Sequence, residues 1–196
     1  YCLTLMNEHY PPPSMPHLKC IEEEILKVMY LLKAGENGDK KVQLMGSGVI
    51  LNEVIKGAEL LKNDFGVDAD IWSVPSFNLL HRDAIEVERY NRLHPLEEAK
   101  LPFVTRQLQG YEGPVIASTD YIRSFADHIR AYIPNNYHVL GTDGFGRSDS
   151  RANLRDFFEV DSRHVAVAAL SALAEQGKVG KEVVQQAIEK YGIQTD

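Results

Sequence analysis

The sequence is poor in the features that would tie it to a membrane, a metal or a nucleic acid. Its 196 residues include two cysteines and one tryptophan. Cys2 and Cys20 form no CxxC pair and nothing marks a secretory route, so we expect two free thiols in a reducing, cytoplasmic setting. No apolar run approaches the roughly 18–20 residues that a bilayer span needs. Basic residues are outnumbered, with Lys+Arg 21 against Asp+Glu 28 and a net charge of −7. That balance excludes bulk nucleic-acid binding, which requires basic stripes to displace counterions. HExxH and GxSxG are both absent. The seven histidines are scattered without metal-ligand spacing, and no serine has an identifiable base. What remains is an ordinary globular composition, 44% hydrophobic and 25% charged, in a chain long enough for one real core.

The chain starts at Tyr1 rather than Met, inside an alternating strand pattern (residues 1–8, YCLTLMNE), and we expect a fragment of a longer protein. Residues 11–16 (PPPSMP) can continue neither a helix nor a central strand and read as a semi-rigid connector. We therefore divide the chain into residues 1–16, the closing strand of something preceding plus a linker, and residues 17–196, an α/β domain. In that domain Ile21, Ile25, Val28, Met29 and Leu32 recur at helical spacing, and residues 35–39 end the predicted helix. Strands are expected at 42–45, 69–74, 114–118 and 137–140. Helices are expected at 50–61, closed by Gly66, and at 78–93. Another carries Ile122, Phe125, Ala126, Ile129 and Ile133 behind a Ser118 or Thr119 cap. A short helix around Leu154 to Phe158, an apolar one at 165–174 and a final one over 183–188 complete the set. Four strand-helix alternations predict a three-layer αβα fold with an open, mostly parallel sheet.

Two glycine-rich turns invite a phosphate reading. Gly46-Ser47-Gly48 joins a strand to a helix, but Leu51 stands where a dinucleotide fingerprint needs its third glycine. The second strand ends without an acidic ribose partner, so a tight turn with Ser47 as a possible helix cap is the simpler reading. Gly141-Thr142-Asp143-Gly144-Phe145-Gly146-Arg147-Ser148 has P-loop spacing with Arg147 in the lysine position. Asp143 and Asp149 would oppose phosphate charge there. A glycine-rich turn at the carboxyl end of a strand suits a ligand or a partner surface. The charged stretch between His81 and His94 reads as a solvated, salt-bridged helix or a partner surface.

Residues 42–48 (VQLMGSG), 72–77 (WSVPSF), 89–95 (RYNRLHP), 118–121 (STDY) and 139–151 (VLGTDGFGRSDSR) together carry a resemblance. They are similar to the carboxyl-terminal domain of the homodimeric bacterial pyruvate dehydrogenase E1 family. The core Phe145-Gly146 with Ser148 is similar to the transketolase superfamily at large. The resemblance implies a parent that uses thiamine diphosphate and Mg²⁺ to decarboxylate pyruvate and to acetylate the lipoyl group of an E2 component. It implies that residues 5–10 close the preceding domain, and that cofactor and catalytic residues belong to earlier domains. The family's Gly-Asp-Gly…Asn-Asn motif is missing: Asn135-Asn136 precedes Asp143-Gly144, in the wrong order. No catalytic, cofactor-binding or metal residue is therefore expected in this chain, and no cofactor. The expected role is packing on the upstream domains and the second E1 subunit. Gly141, Thr142, Asp143, Gly144, Phe145, Gly146, Arg147, Ser148, Asp149 and Arg151 are the candidate interface. The alternatives are a flavodoxin-like module holding a small anion at 46–48 and 141–148, or the corresponding domain of another transketolase-superfamily enzyme.

Overall fold

The computed structural model describes residues 10, 13–14, 21–36, 38 and 40–195. The strand expected over 1–8, both cysteines, His9, His17 and most of the proline-rich connector lie outside the described residues.

Five strands form one sheet in the order β1-β3-β2-β4-β5. They are β1 (Tyr30–Lys33), β2 (Lys41–Gly46), β3 (Asp68–Ser73), β4 (Val115–Ile122) and β5 (Tyr137–Thr142). β2, β3, β4 and β5 run parallel, and β1 pairs antiparallel with the outer edge of β3. The helices are α1 (Ile21–Leu26), α2 (Ile50–Phe65), α3 (Phe77–Leu93), α4 (Phe103–Leu108), α5 (Arg123–Asp127), α6 (Arg151–Phe157), α7 (Ser162–Glu175) and α8 (Lys181–Tyr191). Because strand side chains alternate between faces, the sheet feeds two cores. Val42, Leu44, Ile71 and Ile116 meet α2, α7 and α8. Met45, Trp72, Val115, Ala117 and Val139 meet α3, α4 and α5. This is the expected three-layer fold.

On the first face, α2 and α7 approach closely because Gly57 faces α7. A Cβ there would lie 3.0 Å from Val165 Cγ1 and 3.1 Å from Ser162 O. The far end of α2 stops at Gly66, whose φ of 62° is the left-handed conformation that glycine adopts without cost.

Several local expectations are corrected. The predicted first helix ends at Leu26 instead of running past Leu32. Val28 turns the chain with φ 61°, Met29 plugs the second core, and residues 30–33 become β1. The apolar spacing was real, but it served an edge strand whose partner, β3, lies far along the chain. Neither Ser118 nor Thr119 caps a helix, because pairing with β5 carries β4 on to Ile122 and buries both side chains. α5 is accordingly short. Ile122 and Phe125 stay partly exposed, while Ala126, Ile129 and Ile133 are buried. Ser47 is not the cap of α2; Val49 occupies that position without a side-chain bond. Helix α4 had no sequence expectation. Its start is fixed by Asp83, which accepts the Phe103 N–H at 2.6 Å.

Polar groups inside the sheet are matched to one another. Gln43 Nε2 donates to Asp70 Oδ2 at 2.8 Å and to the Glu112 carbonyl at 2.9 Å, while Gln43 Oε1 accepts from Trp72 Nε1 at 2.8 Å. Asp70, fully buried, also takes Lys41 Nζ at 2.9 Å and the Gly35 N–H at 2.8 Å. Removing the hub of such a network leaves several buried groups unpaired. Gln43→Leu is expected to cost about 2–3 kcal/mol, read as a lower urea midpoint with an unchanged slope.

Candidate functional site

All four parallel strands point their carboxyl ends at one edge of the domain, where open α/β sheets place ligands and partners. Two clefts lie there. One, of about 260 Å³, has an apolar floor including Ile50, Leu154 and Phe158, and carries Arg147, Arg151 and Arg155. The other, of about 220 Å³, is lined by Ser47, Ser76, Thr119, Tyr121 and Phe125 among others.

The run from 141 to 151 borders the first cleft. Gly141 is buried in β5, packed where a Cβ would lie 3.0 Å from the Tyr121 carbonyl. Thr142 Oγ1 donates to the Asp120 carbonyl at 2.9 Å. Asp143 lies 3.6 Å from Arg123. Gly144 takes φ 76°, and Phe145 projects with 96% of its surface exposed. Gly146 has open space around it, and Ser148 is exposed. Arg147 lies over the Phe157 ring at 3.9 Å. Asp149 accepts the Ser150 N–H and Asn153 Nδ2, and Ser150 caps α6 by accepting the Asn153 N–H. Of the predicted residues, those from 143 to 149 lie in one exposed turn, while Gly141 is buried and Thr142 half-buried at the end of β5, and Arg151 opens α6.

This geometry argues against a phosphate cradle. The following helix begins at Arg151, well past Arg147, and the Arg147 side chain rests on an aromatic ring. Both aspartates hold the turn's own donors or Arg123. The anion-binding alternative therefore loses its strongest support.

Sequence reading missed the residues that fix this turn. Glu53 of α2 is buried, and its carboxylate accepts from Arg155 Nη1 at 3.1 Å, Lys56 Nζ at 3.3 Å and the Ser162 N–H at 3.2 Å. Arg155 and Arg151 also reach the Tyr10 hydroxyl, at 3.1 and 3.4 Å. The only available signal was the i, i+4 spacing of the two arginines.

Asp156, Asp161 and His164 form the one carboxylate-histidine cluster of metal-ligand size among the described residues. An arginine already fills it. Arg163 Nη2 lies 2.5 Å from Asp156 and 2.6 Å from Asp161. Asp161 caps α7, accepting the Arg163 and His164 N–H groups at 3.0 Å each, and His164 Nδ1 lies 2.9 Å from it. Burial alone would raise the Asp161 pKa, but bonds from His164 and Arg163 outweigh it and hold the carboxyl well below its ordinary value.

The other described histidines have structural partners. His81 packs on His128, His94 stacks on Tyr90, and His138 faces Glu175. Helix α3 is solvated as expected, but no ion pair joins its charges among the described residues. In neither cleft does a described serine or threonine hydroxyl bond to a histidine or carboxylate. No activated nucleophile is assembled there.

An open parallel sheet with one antiparallel edge strand, wrapped by helices on both faces, defines the class. The sequence profile described as "Transketolase-like TK C-terminal domain" matches residues 29–161, and the chain belongs to that family. Its sequence is 56% identical over 199 residues to the pyruvate dehydrogenase E1 component of Pseudomonas aeruginosa, covering 98% of this chain and 22% of that protein. It is 49% identical to the protein of the same name from Escherichia coli K12, covering 100% and 22%. The chain thus spans about a fifth of the length of these relatives. Among solved structures, a Pichia stipitis transketolase complex superposes with a TM-score of 0.53 at 17% identity, covering 80% of this chain and 19% of that one. Transketolase from Leishmania mexicana gives 0.51 at 16%, covering 78% and 19%. At that identity the likeness is one of fold.

The depressed Asp161 pKa predicts an acid-sensitive junction. Its stabilisation is fully present above the unfolded value, 3.8, and is lost as pH falls below that toward the native value. Asp161→Asn is expected to cost about 1 kcal/mol at pH 7. The gap from the parent chain should narrow below pH 3.8, measured by urea unfolding at both acidities.

Proposed function

We propose that this chain is the C-terminal, non-catalytic domain of a pyruvate dehydrogenase E1 component. The observation that carries the reading is 56% identity extending over 98% of the chain. The parent would be a cytoplasmic homodimer that decarboxylates pyruvate and passes the acetyl group to the lipoyl arm of an E2 partner. Thiamine diphosphate with Mg²⁺ would supply the electron sink for decarboxylation. This domain's residues do not fit that group. Its glycine-rich turn spends Asp143 and Asp149 on its own donors and Arg123, and its carboxylate-histidine cluster is filled by Arg163. The domain's own work would be packing against the upstream domains and the second subunit.

Support for that role comes from the turn itself. It is held from behind by bonds within the domain, while Phe145 and the neighbouring Tyr121 and Ile122 face outward. An exposed apolar group of this kind on a rigid support fits a protein neighbour better than a small polar ligand.

In the full-length enzyme, Phe145→Asp or Arg147→Glu is expected to raise the dimer dissociation constant at least tenfold, measured by sedimentation. An unchanged constant would remove this surface from the dimer contact. The isolated chain should keep its melting temperature when thiamine diphosphate and Mg²⁺ are added, because a ligand stabilises only a state it binds. A rise of several degrees would overturn the non-catalytic assignment.

A further inference from the structure

The second cleft at the carboxyl edge is built differently from the first, and none of the described residues lining it belongs to the 141–151 turn. Strand β2 lies between β3 and β4. The chain leaving β3 and β4 turns to α3 and α5 on the face of the second core, whereas the chain leaving β2 turns to α2 on the face of the first. The end of β2 is therefore left between α3 and α5, and the cleft of about 220 Å³ opens there. Such a change of direction is where open α/β sheets hold small ligands.

The polar groups at this point have donors to give. Ser47 follows β2 with 6% of its surface exposed. Its backbone is pinned on both sides. The Ser47 N–H donates to the Ser118 carbonyl at 3.3 Å, and the Gly46 carbonyl accepts the Val74 N–H at 2.9 Å. Ser47 lines the cleft, and among the described residues its hydroxyl has no hydrogen-bond partner. An enclosed hydroxyl costs free energy until it is paired. Buried Thr119 accepts the Tyr121 N–H at 3.2 Å, and Ser76 accepts the Leu79 N–H at 3.3 Å. Each of these hydroxyls keeps its own hydrogen to donate. Beside them begins α3, 17 residues long, with no acidic residue in its first turn. The Phe77 and Asn78 N–H groups have no acceptor among the described residues. They form the positive end of the helix dipole.

Charge then selects the ligand. The free groups of Thr119, Ser76 and α3 are donors, so the ligand must accept. None of the described lining residues is charged, and Asp120, next along β4, lines the other cleft. A phosphate dianion would find no basic side chain to balance it, whereas a single negative charge suits a helix N-terminus. Phe77 and Phe125 supply an apolar wall. A cavity of about 150 Å³ holds a benzene ring, so this cleft has room for a small apolar group beside the charge. We propose that the cleft binds a small monocarboxylate with an apolar or aromatic substituent. Its carboxylate accepts from the Ser47 hydroxyl and the α3 N-terminus, and its substituent packs on Phe125. The proposal is independent of the longer parent, since these groups all lie within the described residues.

The test is a titration of the 196-residue chain with benzoate at pH 7, followed by amide chemical shifts. Benzoate is expected to shift Ser47, Phe77, Asn78 and Thr119 saturably. Benzamide, of the same shape without the charge, and inorganic phosphate should each bind at least tenfold more weakly. Ser47→Ala should weaken benzoate binding at least fivefold. Asn78→Asp puts a carboxylate in the first turn of α3, where a helix favours one. It should therefore keep the fold and lower benzoate affinity at least tenfold. Benzamide or phosphate binding as tightly as benzoate would overturn the proposal. So would shifts that stay linear in benzoate or are reproduced by sodium chloride, which would mean a general ionic effect. Unchanged affinity in Asn78→Asp would place the ligand away from α3, with the same consequence.

Discussion

The outer part of this domain depends on one buried carboxylate. Glu53 sits on α2 with 6% of its surface exposed, and a charge in that position is tolerable only if it is fully paired. Its partners come from three directions: Lys56 on its own helix, Arg155 on α6 and the first N–H of α7. The consequence is greatest for α6. That helix has no buried residue of its own, so packing alone gives it little purchase on the core. The ion pair with Glu53 supplies what its apolar face lacks, and the turn from 141 to 150 follows because it ends in the cap of α6. Removing one partner of a pair this enclosed typically costs about 3–5 kcal/mol. The rigidity of an exposed loop is thus inherited from a buried charge on a different layer.

The two-core architecture was legible because its signals are local. Short apolar runs bounded by glycine and proline marked the parallel strands, and helical stripes ending in Gly66 marked α2. The errors arose where a partner distant in sequence decided the outcome. Residues 28–32 carry helical spacing, yet Val28 reverses the chain and Tyr30 and Leu31 pair with Ser73 and Trp72. Ser118 and Thr119 have the chemistry of a helix cap. They became strand because Ile122 pairs with Thr142. Propensity is a weak prior against such tertiary pairing.

The candidate site shows the same division. Its glycine-rich run was conspicuous in the sequence, as was the mismatch between its aspartates and a phosphate. The supports were not. Glu53 and Arg155 are separated by 102 positions, and nothing in either local stretch announces the other. Tyr10 falls in what reads as the closing segment of a preceding domain, just before the connector, where polar contacts with a distant helix have no sequence signature. Trp72 falls in a readable strand, but Gln43, which accepts its indole N–H, and Asp70, which accepts from Gln43, sit in apolar runs where a polar side chain suggests solvent.

A binding site for a small polar ligand directs its donors and acceptors into a concavity and buries its apolar groups behind them. The carboxyl edge of this sheet does much of the reverse. Thr142, Asp149 and Ser150 satisfy backbone or neighbouring groups, Asp143 faces Arg123, and the Arg147 guanidinium covers an aromatic face. Left facing outward are Tyr121, Ile122 and Phe145. Where the polar groups of a glycine-rich turn serve its own rigidity, the glycines have a different purpose from a phosphate loop. Gly144 permits the left-handed bend that lifts Phe145 clear of the surface, and Gly141 lets β5 pass close to the Tyr121 carbonyl. This inversion of a ligand site supports reading the edge as a packing surface within a larger protein.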